Sequence, residues 1–424
     1  MGLAVAAGHR PFDHRDKLEA LLLAAGNQYP VPPVERGGAR SLPHRHPRPS
    51  QQDAAPALAA RLPPMTINDL LTAMGKHNAT DLHVRVGEPP VFRVAGDLVR
   101  LKSPPLTIDQ VNELLVPLLD ERLQSDMKLR GYADFSHSID GVGRFRCNIY
   151  KALGKLSAAI RRVKPKVPTY EELNLPGTIR KCAEYEQGLV LIGGITGSGK
   201  STSIAAILDD INHRRRCHIL TIEDPVEYVF ADDKAVINQR EVFTDVATFE
   251  DALRSAVRED PDVMLLGEMR DASTFETALT AAETGHLVFG TVHSSGAAQT
   301  LGRIMDLFPT DKHAQIRTSL GFNLRCILNQ KLLPGLEKGT MYPVVEIMFI
   351  SPLMKKLILE GEFAKVAEAL IKDRENGCES YNMALNRLYK EKKISMDCAL
   401  AAAPNPEELR MMMRGITISD GGIV

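Results

Sequence analysis

The chain has 424 residues, of which 44% are hydrophobic, so it is long enough to bury two or three separate domain cores. Its 52 lysines and arginines nearly balance 53 aspartates and glutamates, so no global charge favours nucleic acid or an anionic membrane. No apolar run approaches the roughly 18 residues of a membrane span, and the N-terminus lacks a secretory signal pattern. The six cysteines include no C-x-x-C pair, which predicts reduced thiols, no structural zinc site and a cytoplasmic setting.

Residues 1–64 lack a core-forming pattern and are rich in proline, arginine and histidine. This composition predicts a disordered N-terminal tail, because it buries too little apolar area to offset chain entropy. His44 and His46 have no third ligand nearby, so a solvated tail explains them better than a metal site. Patterned sequence begins at Met65, which makes Met65 an alternative candidate for the true initiator.

Residues 65–165 predict a small α+β domain. The predicted elements are a helix at 67–74, a strand at 82–86, a hairpin at 91–101, a helix from Thr107 towards Met127, and strands at 144–150 and 156–163. The last two strands carry Arg146 and Arg161. On alternating strands such arginines are usually solvated, so the strand pattern by itself favours solvation over a phosphate-binding role.

Prolines concentrate at 165–176, which predicts a linker at 166–176, then a domain at 177–410 and a flexible C-terminal tail at 411–424. Strand patterns at 189–192, 218–222, 263–266 and 287–292 alternate with helical patterns. This alternation predicts an α/β fold with a parallel, doubly wound sheet. Beyond Lys312 the pattern predicts mostly helix, with one strand at 342–350.

Residues 194–201 read Gly-Ile-Thr-Gly-Ser-Gly-Lys-Ser and fit the phosphate-binding pattern G-x-x-x-x-G-K-[ST]. Glycines allow the backbone to curl around an anion, and the N-terminus of the next helix adds partial positive charge. We expect Lys200 to reach the β- and γ-phosphates of ATP and Ser201 to ligate Mg²⁺. The predicted nucleotide-binding residues of this loop are Gly194, Thr196, Gly197, Ser198, Gly199, Lys200, Ser201 and Thr202.

Polar residues also follow the other three predicted strands, namely Glu223, Glu268 and His293. The carboxyl ends of parallel strands form the ligand edge of an open α/β sheet, so these residues predict a site that hydrolyses ATP. We expect Glu268 to orient the attacking water.

Gly267 occupies the usual Walker-B aspartate position, so the predicted Mg²⁺ depends on Ser201, with Glu268 or Glu223 as outer partners. Glu223 also suits a purely structural turn, and His293 either senses the γ-phosphate or caps its strand. His286, in a turn after Gly285, is a further predicted nucleotide-binding residue, although a structural role in the turn explains it equally well.

The sequence 258–271, Arg-Glu-Asp-Pro-Asp-Val-Met-Leu-Leu-Gly-Glu-Met-Arg-Asp, resembles a signature of the type II/type IV secretion ATPase superfamily. The phosphate-binding loop, 221–228 and 283–293 are similar to its Walker A, Asp box and His box, and 81–83 and 143–146 to its N-terminal domain. The resemblance implies a PAS-like domain joined to a RecA-like P-loop NTPase domain in a homohexamer. It also implies Mg²⁺-dependent ATP hydrolysis, with Arg146 and Arg161 reaching the phosphates.

Within this superfamily the chain is most similar to the pilus retraction branch, through 254–262 and the absence of a four-cysteine insertion. That resemblance implies a motor for type IV pilus retraction and twitching motility, acting on an inner-membrane pilus platform protein from the cytoplasmic face. Two features depart from the branch: Ile195 replaces a proline, and the segment 353–358 reads Leu-Met-Lys-Lys-Leu-Ile instead of Ala-Ile-Arg-Asn-Leu-Ile.

Two alternative functions remain open. The first is a pilus assembly, type II secretion or DNA-uptake ATPase of the same superfamily. The second is a nucleic-acid motor or a nucleotide-dependent regulator. Aromatic residues make up only 5% of the chain and tryptophan is absent, which disfavours base stacking and therefore a nucleic-acid partner.

Overall fold

The computed structural model describes residues 65–164, 166–337 and 339–415, with two short strands at 418–419 and 422–423. The chain divides into two compact units, with the boundary between Arg162 and Val163. The predicted tail at 1–64, including His44 and His46, lies outside the described residues. Within the described residues, no helix is long and apolar enough to cross a membrane.

The first unit is a six-stranded antiparallel sheet in the order β3-β2-β1-β6-β5-β4. Its strands are β1 (Ala79–Arg85), β2 (Val91–Val94), β3 (Asp97–Arg100), β4 (Tyr132–Ile139), β5 (Gly143–Ala152) and β6 (Lys155–Arg162). Its helices are α1 (Ile67–Lys76), α2 (Ile108–Leu115) and α3 (Glu121–Leu129), with a 3₁₀ turn at Val116–Leu118. Apolar residues of strands and helices share one core, in which Leu71, Leu82 and Phe145 are fully buried.

Two details of this unit differ from the predicted elements. The helix expected from Thr107 towards Met127 is interrupted, because Pro117 lies in a 3₁₀ turn and Asp120 caps a new helix by accepting from the Leu123 amide at 2.7 Å. Strand β4 was not predicted, because only Ala133 of its eight residues is fully buried and the apolar alternation is weak.

The second unit contains a seven-stranded mixed sheet in the order β13-β12-β7-β11-β10-β8-β9. All neighbours pair in parallel except β13, which pairs antiparallel with β12. The strands are β7 (Gly188–Gly193), β8 (His218–Glu223), β9 (Val236–Glu241), β10 (Val263–Leu266), β11 (Leu287–Val292), β12 (Leu324–Pro334) and β13 (Met341–Phe349). A mixed α/β fold with a parallel core is therefore confirmed.

Helices pack around this sheet. In chain order they are α4 (Lys181–Glu184), α5 (Lys200–Arg214), α6 (Phe249–Ala256), α7 (Ala272–Glu283), α8 (Ala297–Asp306), α9 (His313–Asn323), α10 (Pro352–Glu360), α11 (Val366–Lys372), α12 (Tyr381–Lys390), α13 (Met396–Ala402) and α14 (Pro406–Met413). Tyr170 and Leu175, from the segment predicted as a linker, are buried in the core of this unit.

The expectation of mostly helix beyond Lys312 was wrong for 324–334, which form the eleven-residue strand β12. Residues 324–330 of this strand are almost all buried, so it shows neither helical nor strand periodicity. Strand β9 was missed because it lies at the sheet edge with a largely polar sequence. Strands β10 and β11 have the predicted boundaries.

Gly267 follows β10 at a point where the backbone of β8 passes very close. Its amide donates to the Ile222 carbonyl at 2.8 Å, and a Cβ at this position would lie 2.9 Å from that oxygen and 3.2 Å from Glu223 Cα. Both neighbouring atoms belong to the backbone of a central strand and have little freedom to move. Steric exclusion therefore explains why this position carries no side chain.

We expect Gly267→Ala to lower the free energy of unfolding of the second unit by about 1–3 kcal/mol, because the new methyl group overpacks the β8–β10 junction. The measurement is chemical denaturation followed by circular dichroism. Gly302→Ala is the matched control, because it lies in α8 with open space at its Cβ position and is expected to stabilise by up to about 1 kcal/mol. Equal stability changes in the two variants would contradict the steric explanation.

Candidate functional site

The loop predicted to bind phosphate connects a buried strand to a long helix. Every residue of β7 is buried, and α5 begins at Lys200 immediately after the loop. Gly197 and Gly199 have φ values of 80° and 88°, in the left-handed region that favours glycine. The curled backbone thus leads directly into a helix N-terminus, which is the arrangement that binds phosphate groups.

The side chain of Lys200 bonds back to the phosphate-binding loop that precedes it. Its Nζ donates to the Gly194 carbonyl at 2.8 Å and to the Ile195 carbonyl at 3.1 Å. Burial lowers the pKa of the Lys200 ammonium, and the negative charge of Glu268 opposes that change. The lysine is therefore half-buried and within electrostatic reach of the predicted catalytic carboxylate. Thr202, in the first turn of the helix, shares a 3.0 Å hydrogen bond with the Tyr228 hydroxyl.

Glu268, His293 and Arg270 form a charged cluster at the carboxyl edge of the sheet. Glu268 Oε1 lies 3.0 Å from His293 Nε2, and its Oε2 accepts a 2.5 Å hydrogen bond from Arg270. The Arg270 hydrogen bond is the main cause that holds the pKa of Glu268 below its usual value, and the charges of His293 and Lys200 act in the same direction. The carboxylate keeps a side-chain exposure of 26%, so water reaches it. This cluster provides an ionised, positioned proton acceptor beside the loop.

Glu223 has a different environment although it ends a neighbouring strand. It is buried, and it accepts from the Thr221 hydroxyl at 2.7 Å and from Gln239 Nε2 at 3.3 Å. Burial raises the pKa of Glu223 despite these hydrogen bonds. These contacts agree with the structural interpretation of this residue as well as with an outer role at the site.

Ser201, Glu223, Gly267 and Thr291 line one narrow cleft next to the phosphate-binding loop. Ser201 is exposed in the first turn of α5, and Glu223 lines the same cleft. Hydroxyl and carboxylate oxygens are the donors that Mg²⁺ prefers, so these residues fit that ion. Among the described residues there is no group of three or more His, Cys, Asp or Glu side chains suited to a metal.

Three predicted site residues are not part of the group at this edge of the second unit's sheet. His286 lies at the other end of β11, and Arg146 and Arg161 belong to the first unit. His286 precedes β11, whereas His293 follows it, so about 20 Å of strand separates the two histidines. The His286 ring bonds the Ala281 carbonyl at 2.9 Å, and its own carbonyl accepts from the Gly188 amide. The assignment of His286 to the nucleotide site is therefore unsupported within one chain.

Arg146 and Arg161 belong to the first unit, where they face each other across β5 and β6. Both are exposed, and Arg161 Nε donates to Asp81 Oδ1 at 2.8 Å. Burial alone would raise the pKa of Asp81, but hydrogen bonds from Thr80 and Arg161 lower it below its usual value. The pair is thus a local patch of positive charge with one arginine fixed by a buried carboxylate.

Two residues at the site were missed by the sequence interpretation. Arg270 lies two residues after Glu268, and the alternation of charge in 268–271 was the available signal for it. Gln330 contacts the phosphate-binding loop from β12, and nothing in the sequence pattern indicates that contact, because it depends on the pairing of β12 with β7.

Comparison with known proteins identifies the family. The family model described as type II/IV secretion system protein matches residues 60–390. The chain is 41% identical over 343 residues to the type IV pilus retractation ATPase PilT of Pseudomonas aeruginosa, a match covering 81% of this chain and 99% of that protein. It is 38% identical over 320 residues to a twitching motility protein of Neisseria gonorrhoeae, covering 76% of this chain and 86% of that protein.

The structure of the chain shows the same similarity as its sequence. A crystal structure of the pilus retraction motor PilT with bound ADP matches with a TM-score of 0.77 and 40% identity, over 82% of this chain and 100% of that chain. The four ordered motifs in the sequence predicted this relationship. The chain therefore belongs to the type II/IV secretion system protein family and is a PilT-like member of the type II/type IV secretion ATPase superfamily.

Proposed function

We propose that this protein is an ATP-hydrolysing motor that powers type IV pilus retraction. The observation that carries the proposal is the contact of Glu268 with His293 at 3.0 Å beside Lys200 of the phosphate-binding loop. The similarity to PilT over nearly the full length of that protein supports the choice of pilus retraction as the process. The reaction is hydrolysis of ATP to ADP and phosphate.

The chain's own residues supply positioning and charge for this reaction. The loop backbone and Lys200 bind the β- and γ-phosphates, which fixes the terminal phosphorus relative to the sheet edge. Glu268 orients a water molecule for in-line attack and accepts its proton, and the lowered pKa keeps that carboxylate ionised. Arg270 and His293 restrain both oxygens of Glu268, so the acceptor is held in one orientation.

Ser201 would hold Mg²⁺ together with phosphate oxygens and water, and Glu223 would act as a hydrogen-bonding partner outside that shell. When bound, the ion neutralises negative charge on the phosphates. Position 267, the usual Walker-B position, supplies no aspartate, because the close backbone of β8 excludes a side chain there. Ser201 therefore carries more of the metal binding than the corresponding hydroxyl does where a Walker-B aspartate is present.

We also propose how the protein assembles, on the basis of its resemblance to the family. Residues 177–410 would form a RecA-like ATPase domain and 65–165 a PAS-like domain, in a homohexameric ring. Arg146 and Arg161 would then add positive charge at the phosphates, and Asp81 would keep Arg161 extended from its strand. The ring would act from the cytoplasm on an inner-membrane pilus platform protein.

We expect Glu268→Gln to bind nucleotide normally and to lower the rate of ATP hydrolysis by a factor of about 100 or more, because an amide accepts no proton from water. Phosphate release measures the rate, and binding of a fluorescent ADP analogue measures affinity. Glu276→Gln is the matched control, because Glu276 is exposed on α7 and pairs with Lys312. Normal hydrolysis by the Glu268 variant would refute the assigned role.

Ser201→Ala is expected to abolish hydrolysis at any Mg²⁺ concentration up to about 10 mM, because the remaining oxygens around the cleft do not replace the hydroxyl ligand. The measurement is a titration of hydrolysis rate against Mg²⁺. Ser125→Ala removes an exposed helical hydroxyl in the first unit and should titrate like the unaltered protein. A Ser201 variant with unchanged Mg²⁺ dependence would show that the ion is held elsewhere.

Deletion of the gene in its own strain is expected to leave excess surface pili and to abolish twitching, because retraction stops while assembly continues. Electron microscopy of surface pili and a twitching-zone assay give the readouts. Complementation with the Glu268→Gln variant should fail, whereas the Glu276→Gln variant should restore both readouts. Loss of surface pili on deletion would instead identify a pilus assembly motor.

A further inference from the structure

We propose that Gln330 is a positioning residue that fixes the phosphate-binding loop from the neighbouring strand. The proposal rests on the proposed function, because it concerns the same nucleotide site. Gln330 lies in β12, outside the motifs that predicted the site, and it is only 4% exposed. Its neighbours in the sheet place it directly beside the carboxyl end of β7, where the loop begins.

Both the nitrogen and the oxygen of the Gln330 side-chain amide make hydrogen bonds. Its Nε2 donates to the Ser198 carbonyl in the loop at 2.8 Å, and its Oε1 accepts from the Ser203 hydroxyl in the first turn of α5 at 2.8 Å. One side chain thus joins the loop to the helix that follows it. Only a side chain with a donor and an acceptor at this reach satisfies both partners.

Gln330 also limits how closely the loop can pack against β12. A Cβ at Gly194 would lie 2.5 Å from the Gln330 carbonyl, and one at Gly199 would lie 2.8 Å from Gln330 Nε2. Both glycines also have positive φ values, of 149° and 88°. Gln330 therefore lies close to the start of the loop through its main chain and to the end of the loop through its side chain. Gly194 is required by packing as well as by conformation, and Gly199 by conformation.

A phosphate-binding loop turns its N–H groups towards the anion, so some of its carbonyls face the protein. A buried carbonyl without a donor is costly, and the loop would rotate to find one. Gln330 supplies that donor to Ser198 and so stabilises the loop conformation in which the N–H groups remain available. This is the physical route by which a residue that does not contact nucleotide affects nucleotide affinity.

The preceding residue acts on the adjacent loop. Asn329 is fully buried and accepts from the Ser294 hydroxyl at 3.0 Å, and Ser294 follows His293. A Cβ at Gly193 would lie 2.1 Å from Asn329 Oδ1, so the two strands are in close contact here. Because consecutive strand residues point to opposite faces, β12 restrains the phosphate-binding loop on one face and the His293 loop on the other.

The test compares ADP affinity in Gln330→Met, Gln330→Glu and Gln315→Met by titration with a fluorescent ADP analogue. We expect Gln330→Met to bind ADP roughly tenfold more weakly, since it loses a buried hydrogen bond to the loop. Its KM for ATP should rise more than its kcat falls. Gln315 is exposed on α9, so Gln315→Met should bind ADP like the unaltered protein. Affinity of Gln330→Met within twofold of the control would overturn the proposal.

Gln330→Glu keeps the acceptor for Ser203 and loses the donor to Ser198 when ionised. Its ADP affinity, relative to the unaltered protein, should be reduced at pH 8 and recover at pH 6, because a buried carboxyl protonates readily and then donates again. A purely structural defect would not recover, so a loss that is equal at both pH values would overturn the proposal. Because ADP affinity is read without hydrolysis, an unaltered protein that binds ADP but fails to hydrolyse ATP would refute the proposed function alone.

Discussion

Parallel pairing among β7, β11, β10 and β8 is the constraint on which the candidate site depends. The registers align Gly188 with Leu287 and Val263 with Ile219, so the carboxyl ends of these strands lie at one edge of the sheet. Glu268 and His293 follow two of those ends, and the pairing of the strands brings their side chains to 3.0 Å from each other. Burial of the apolar strands, rather than any attraction between the polar groups, provides the free energy that holds this edge together.

The two glutamates at this edge differ because their surroundings differ. Glu268 is partly exposed and bonded to Arg270, so its pKa is held below the usual value. Glu223 is buried among Thr221 and Gln239, and burial raises its pKa. One carboxylate is therefore suited to accept a proton, and the other to take part in a hydrogen-bond network. Opposite pKa shifts allow two chemically identical groups in one site to take different roles.

The sequence predicted most of this edge because its signals are local. The glycines and Lys200 of the loop, and the positions of Glu268 and His293 after apolar runs, follow from spacing alone. Strand β12 and the contact of Gln330 were not predictable in that way. A fully buried strand has no alternation, and the partner of a buried amide is decided by which strand pairs with which. The location of His286 was not predictable for a related reason, because a motif gives the distance along the chain but not the edge of the sheet.

The departure at 353–358 from the pattern of the retraction branch has a structural explanation. The buried positions all keep apolar side chains: Met354, Leu357 and Ile358. Of the four changed positions, Met354 keeps an apolar side chain in the core, and the other three lie on the outside of α10: Leu353 is 40% exposed, Lys355 stacks on Phe322 with its Nζ 3.7 Å from the ring centroid, and Lys356 is exposed. The packing of the helix in the core is therefore conserved in character, whereas its outer surface differs. None of the candidate site residues lies on α10, so the departure at 353–358 gives no reason to expect a different chemistry at the carboxyl edge of the sheet.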